Sequence, residues 1–237
     1  MAEERGLRIG SFAGAAIVVD PTVLILALYV LATGIADSGI GGVEGALIFL
    51  AALMLTVLLH EFGHAGVAAL LKLPSKRIVL TFFGGHVEFA WPPKSRWQEI
   101  AVSFAGPAAN LLTCAALIAI GSQLGNVPDR LILFLSQLAY TSLILGVFNL
   151  LPGFPLDGGR ILRAILNYFM SLDRARMVAG ACGILVAVAL GAWALMHGLW
   201  WSVMIALFLA LAAWGEIQSA RAAIASGQPS APEASSG

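Results

Sequence analysis

Residues 43–71 read VEGALIFLAALMLTVLLHEFGHAGVAALL, a continuous apolar run that carries a His-Glu-x-x-His pattern near its C-terminal end. About 20 apolar residues cross the hydrocarbon core of a bilayer as a helix, so the run is long enough to span one. A carboxylate at that depth costs about 2.5 kcal/mol or more on insertion scales, which marks Glu61 as functional rather than as packing. On a helix, positions i and i+4 share a face, so His60 and His64 can aim both imidazoles at one metal ion. Glu61 projects about 100° further round, toward a metal-bound water. Zinc lowers the pKa of its water to about 7, and a neighbouring carboxylate can take the proton as that water attacks a peptide carbonyl. The bland alternative is a chance match in a structural or transport protein.

A catalytic zinc usually has three protein ligands and one open position. His86, His197, Glu88, Asp157 and Glu216 are the further donors that could lie near the membrane. Asp157 stands out because it closes the run NLLPGFPLDGGR, residues 149–160, directly after an apolar segment. Pro152 and Pro155 break the helix and Gly158-Gly159 permits a tight turn, which holds the Asp on irregular backbone; such backbone is tolerated at membrane depth where it is buried in protein or lines a wet cavity. An ordinary loop, with Asp157 capping the helix that follows, reads the same residues equally well.

The pairing of HEFGH with NLLPGFPLDG resembles the site-2 protease family of intramembrane zinc metalloproteases, whose second motif is Asn-x-x-Pro, four residues, then Asp-Gly. The resemblance implies that His60, His64 and Asp157 hold one zinc ion and that Glu61 is the general base. It implies for Asn149 a role in polarising the scissile carbonyl or holding the substrate backbone. Residues 104–110, FAGPAAN, are similar to the family's Gly-Pro-x-x-Asn segment, which makes Asn110 a second oxyanion candidate beside an interhelical hydrogen bond.

The chain is 59% hydrophobic and 11% charged, with mean hydropathy +0.91. That composition is an integral membrane protein's, and a net charge of zero without a Lys/Arg run speaks against nucleic-acid binding. The expected fold class is an all-α polytopic membrane protein of about six spans, near 22–36, 43–71, 98–122, 130–151, 176–196 and 199–219, the first of them short, with a small membrane-associated β-sheet. Residues 77–90 are β-rich and should turn at Gly84-Gly85, and residues 7–20 could supply further strands. By resemblance, an edge strand of that sheet would receive an unwound substrate, with Gly84 and Gly85 among the substrate-binding candidates and Ile78–Phe83 the strand that faces it. The domain reading is a β-hairpin region at 1–21, a protease domain at 22–220 with the β-rich insert, and a disordered tail at 221–237. Gly158 to about Leu172 reads as a partly amphipathic helix. Cys114 and Cys182 read as small buried hydrophobes, and the N-terminus lacks a signal peptide's pattern.

Arg5, Arg8, Lys72, Lys76, Arg77, Lys94, Arg96, Arg160, Arg163, Arg174 and Arg176 fall on one side of these spans, against Arg130 on the other. The positive-inside rule makes that side and both termini cytoplasmic, in a bacterial inner membrane. The resemblance implies regulated proteolysis of a transmembrane segment in a membrane-tethered regulator, such as an anti-sigma factor or a transcription-factor precursor. Rival readings are a zinc protease for prenylated or misfolded proteins with Glu216 as third ligand, and an inactive scaffold. The oligomeric state stays open.

Overall fold

The structure, a computed structural model, describes residues 6–39, 42–121, 123, 125 and 127–227. Four strands and seven helices follow one another: β1 (Leu7–Phe12), β2 (Ala15–Val19), α1 (Val23–Ser38), α2 (Gly42–Leu70), β3 (Ser75–Thr81), β4 (Gly84–Phe89), α3 (Arg96–Gly121), α4 (Asp129–Asn149), α5 (Asp157–Leu166), α6 (Leu172–Met196) and α7 (Trp200–Ala225). Five of them, α2, α3, α4, α6 and α7, are long and apolar enough to cross a membrane. The protein is a mostly helical, polytopic membrane protein. The expected first span is the exception: α1 has 16 residues, a length of about 24 Å against a core of about 30 Å.

The apolar residues are distributed as a bilayer demands. Large side chains such as Leu112, Leu185, Leu207 and Leu211 are exposed, whereas Ala52, Ala65, Ala175, Ala206 and Ala213 are buried. With lipid as solvent there is no gain in hiding leucine, and small residues let helix backbones approach.

The chain divides into two compact units. Unit 1 takes residues 1–91 and 105–147, and unit 2 takes 92–104 and 148–237. In unit 1 the strands form one sheet in the order β1-β2-β3-β4. Its first hairpin turns at Ala13 and Gly14, both at positive φ (49° and 84°), the conformation a two-residue hairpin needs. Strand β2 then pairs parallel with β3, Ala16 beside Arg77 and Val19 beside Leu80, although α1 and α2 intervene. Ala15, Ile17, Ala65 and Ile78 form the core between sheet and α2, with Phe12 stacked on Phe62 at 4.1 Å.

Two readings of the β-rich segment are corrected. The turn falls on Phe82-Phe83, closed by the Thr81 hydroxyl donating to Gly84 O at 3.0 Å, while Gly84 and Gly85 already pair with Thr81 and Leu80 in β4. Strand β3 is bonded on both sides, to β2 and to β4. Among the described residues the sheet edges are therefore β1 and β4, and the segment 78–83 is not one.

In unit 2, α6 and α7 pack along a seam of small residues: a Cβ on Gly183 would lie 3.1 Å from Ala213 Cβ, and one on Gly180 would lie 2.6 Å from Ile217. A second core gathers Leu156, Ala187 and Leu209. Helix α7 continues to Ala225, six residues past the expected end of the last span. The polar tail from residue 228, and Arg5, lie outside the described residues. The amphipathic helix α5 is shorter than expected, ending at Leu166 before α6 starts at Leu172.

Candidate metal centre

Helix α2 brings His60, Glu61 and His64 to within its last three turns, all buried at 5%, 3% and 7% exposure. The two imidazole Nε2 atoms lie 3.1 Å apart and the rings stand nearly perpendicular at 84°. Two nitrogens held about 2.0–2.1 Å from one tetrahedral ion stand about 3.3 Å apart, so the pair already has a zinc site's spacing.

Space for that pair is made by glycines on α2 and on its neighbours. A Cβ on Gly106 of α3 would come within 2.7 Å of His60 Nε2 and press still closer on His64. At Gly63 of α2, a Cβ would run into the Ala105 carbonyl and reach Ala109 at 2.9 Å. Above Glu61 runs the backbone of β4, where a Cβ on Gly85 would sit 2.6 Å from Glu61 Cγ and 2.7 Å from Oε1. Each glycine serves as absence of a side chain rather than as a flexible joint. Asn110, one turn beyond Gly106 on α3, is wholly buried and places its amide 3.1 Å from His60 Nδ1. One turn before His60, Thr56 is buried against Thr141 (2.7 Å) and Ser142 (3.4 Å) of α4. The sequence reading missed Gly106, which lies inside the quoted FAGPAAN segment, and the three hydroxyls, which no local pattern signals.

Unit 2 holds the other candidates. Asp157 is the first residue of α5 and is 6% exposed. The N-cap is Leu156, whose extended backbone (φ −67°, ψ 159°) makes no side-chain cap bond, so Asp157 is not the capping residue. Gly158 and Gly159 are the next helical residues rather than a turn. A Cβ on Gly158 would overlap the carbonyls of Leu150 and Leu151, and one on Gly159 the backbone of Gly153 and Phe154. The loop after α4 is thus folded flat on the first turn of α5, and Phe154 N donates to Ala179 O of α6 at 3.0 Å. Asn149 is partly buried as the last residue of α4.

Farther along α5, Arg163 donates to Glu99 of α3. Arg176 of α6 donates to Glu216 of α7 at 2.7 Å and lies 3.5 Å from Asp173. Glu216, the rival third ligand, is engaged there. The remaining donors are placed elsewhere too: His86 is exposed beside Glu88 (3.6 Å) on β4, Glu88 accepts from Arg77 at 2.6 Å, and His197 bonds Trp193 O at 2.8 Å. Cys114 and Cys182 are free thiols.

A family model described as Peptidase family M50 matches residues 48–126 and 126–190. A Synechocystis sp. protein, named provisionally as a zinc metalloprotease, is 34% identical over 86% of this chain and 57% of its own length. The zinc metalloprotease MJ0392 of Methanocaldococcus jannaschii is 34% identical over 55% of this chain and 38% of its own. The chain therefore spans about half or less of the curated relatives it matches. The solved site-2 protease from Methanocaldococcus jannaschii superposes with TM-score 0.70 and 26% identity, covering 90% of this chain and 95% of that one. With a histidine pair on an apolar helix at zinc spacing, and that family's model matching across more than half of its residues, the chain belongs to Peptidase family M50.

Proposed function

We propose that the protein is an intramembrane zinc metalloendopeptidase that cuts a peptide bond in the transmembrane segment of a membrane-tethered regulatory protein. The observation that carries this is the 3.1 Å approach of His60 and His64 Nε2 on a spanning helix, with the Glu61 carboxylate next in sequence and equally buried. His60, His64 and Asp157 are the proposed ligands: two imidazoles and a carboxylate, all buried, are the donor set that zinc takes. Bound zinc supplies an acidified water and polarises the scissile carbonyl. Glu61 accepts the proton of the attacking water at its carboxylate and returns it to the leaving amine. Gly85 over that carboxylate keeps a side chain from displacing it. Asn149 is proposed to hold the substrate backbone or its developing oxyanion, and Gly84 and Gly85 to leave the backbone of β4 open to the incoming segment.

A transmembrane helix hides its carbonyls in its own hydrogen bonds, so it must open before attack, and strand β4, a sheet edge among the described residues, offers backbone partners to the opened segment. Gly, Pro, Asn or Ser near the cut lowers the cost of opening in hydrocarbon. The basic-residue asymmetry supports an inner-membrane orientation with both termini cytoplasmic. His60 and His64 then lie about 15 and 9 Å before the cytoplasmic end of α2 at 1.5 Å per residue. Impermeant thiol reagents added to intact cells should label cysteines placed at Ser38 and Gln123 but not at Lys94, in a background without the native thiols.

Glu61→Gln is the decisive variant. It should keep about one zinc per chain while hydrolysis of a transmembrane reporter falls by about 10²–10⁴-fold or more. Wild-type turnover by Glu61→Gln would refute the mechanism, and full zinc content in Asp157→Ala would move the third ligand.

A further inference from the structure

We infer that Asn110 is a positioning residue for the metal centre: its side-chain carbonyl accepts a hydrogen bond from Nδ1–H of His60 and thereby fixes that ring with Nε2 turned to the metal. The inference rests on the zinc reading above and assigns to Asn110 a task different from oxyanion binding.

The Nε2 atoms of His60 and His64 converge to 3.1 Å, so Nε2 is the ligand atom of His60. A neutral imidazole that gives one nitrogen's lone pair to a metal carries its proton on the other. His60 Nδ1 is then an N–H, and it needs an acceptor.

Within reach of that nitrogen lies the Asn110 amide, 3.1 Å away. As placed, the amide presents Nδ2 to the ring, while its Oδ1 is buried and makes no hydrogen bond among the described residues. Amide oxygen and nitrogen are alike in shape and are assigned from their partners. Exchanging them converts the contact into N–H···O and gives the buried carbonyl its donor. The NH2 takes the place where Oδ1 had none.

The face of α3 that meets the histidines is shaped for this task. Gly106 and Asn110 are four residues apart and therefore share that face. Gly106 leaves bare backbone against the ligand atoms, where a Cβ would stand 2.7 Å from His60 Nε2. Asn110, wholly buried, meets the opposite nitrogen of the same ring. A metal-bound histidine whose second nitrogen is held in this way has a defined tautomer and ring angle, and loss of such a partner typically weakens metal binding about 10–100-fold.

The test compares Asn110→Leu, which keeps volume and removes the acceptor, with Asn110→Asp, which keeps an acceptor. Zinc affinity is measured on the full chain in detergent micelles by competition with a chelator, and the His60 tautomer by 15N NMR of histidine-labelled, zinc-loaded wild type. The expected result is a loss of about 10–100-fold for Asn110→Leu, with Asn110→Asp within a few-fold of wild type. The wild-type spectrum should show His60 protonated at Nδ1 in a hydrogen bond. Zinc affinity unchanged in Asn110→Leu, in a protein whose His60→Ala variant has lost zinc, overturns the inference and leaves the proposed function standing. Equal losses in Asn110→Leu and Asn110→Asp overturn it in favour of packing. An unprotonated His60 Nδ1 in the wild type overturns it without any variant. Full zinc content in His60→Ala would remove the zinc reading and this inference together.

Discussion

The histidine corner of unit 1 and the aspartate turn of unit 2 reach the same degree of burial by opposite means. Around His60 and His64 side chains are stripped away: Gly63, Gly106 and Gly85 let α3 and β4 lie against α2, and the polar groups retained there are hydroxyls and an amide. Around Asp157 the backbone is folded back on itself; α5 is tied to α3 by Arg163 with Glu99, and α6 to α7 by Arg176 with Glu216. Regular helix gives a ligand pair its spacing for nothing beyond close packing, because i and i+4 coincide by geometry. A residue set where a loop meets the first turn of a helix, as Asp157 is, has no such periodicity and needs a scaffold of its own. Damage should therefore read as lost chemistry in the first region and as lost stability in the second.

The largest expected effect tests the first half of that contrast. Gly85→Ala drives a methyl into Glu61, so turnover should fall about 10²–10⁴-fold with zinc content unchanged. Near-normal turnover would show that β4 gives way. In unit 2, Arg163→Leu leaves Glu99, 5% exposed, without its partner. Stability measured by unfolding in detergent should fall by about 3–5 kcal/mol, and the double change Arg163→Leu with Glu99→Leu should recover most of it. A double variant as unstable as the single one would mean that the pair specifies the fold of α5 rather than compensating a buried charge. Smaller still, Thr56→Val removes the hydroxyl that meets Thr141 and Ser142 in unit 1, at a cost of about 0.6 kcal/mol per contact and no more than about 1.7. If Thr56→Val instead costs turnover far beyond its stability, the hydroxyls belong to the chemistry.

The smallest effect lies in the sheet. Glu88 is held below its ordinary carboxylate range, chiefly by the hydrogen bond from Arg77, with burial opposing and the Arg77 and His86 charges assisting. A depressed folded-state value means that the pair stabilises the sheet at pH above the unfolded value of about 4.3 and loses that contribution as pH falls through the folded one. Both side chains are more than a third exposed, so the contribution is about 0.2–1 kcal/mol. Arg77→Ala should flatten this acid dependence of sheet protection in hydrogen exchange. A dependence that survives the change belongs to another group.

How much of this could be read in the chain follows from the same contrast. The apolar run and the His-Glu-x-x-His spacing made α2 and its face legible, because both are local periodicities. Asn110 was legible as a candidate but not in its place beside His60 Nδ1, which depends on how α3 meets α2. Gly84-Gly85 and Gly158-Gly159 were read as turns, since glycine is the usual turn former; their structural use is close approach to Glu61 and to the loop after α4. Strand β3 looked like an edge because its second partner, residues 16–19, is separated from it by two helices. The last span, expected over 199–219, stops short of Arg221, whereas α7 carries that residue and runs on to Ala225.

The parallel bond between β2 and β3 has a mechanical consequence. The chain leaves the sheet at Val19, runs through α1 and α2, and rejoins the same sheet at Ser75, with Asp20 N donating to Leu80 O at 2.8 Å and Phe82 N to the Thr22 hydroxyl at 3.2 Å. The helical excursion is a closed loop stitched at its base. The sheet thus clamps the start of α1 and, through β3, the Leu70 end of α2. His60 and His64 sit toward the clamped end, where the helix behaves as an anvil rather than a lever.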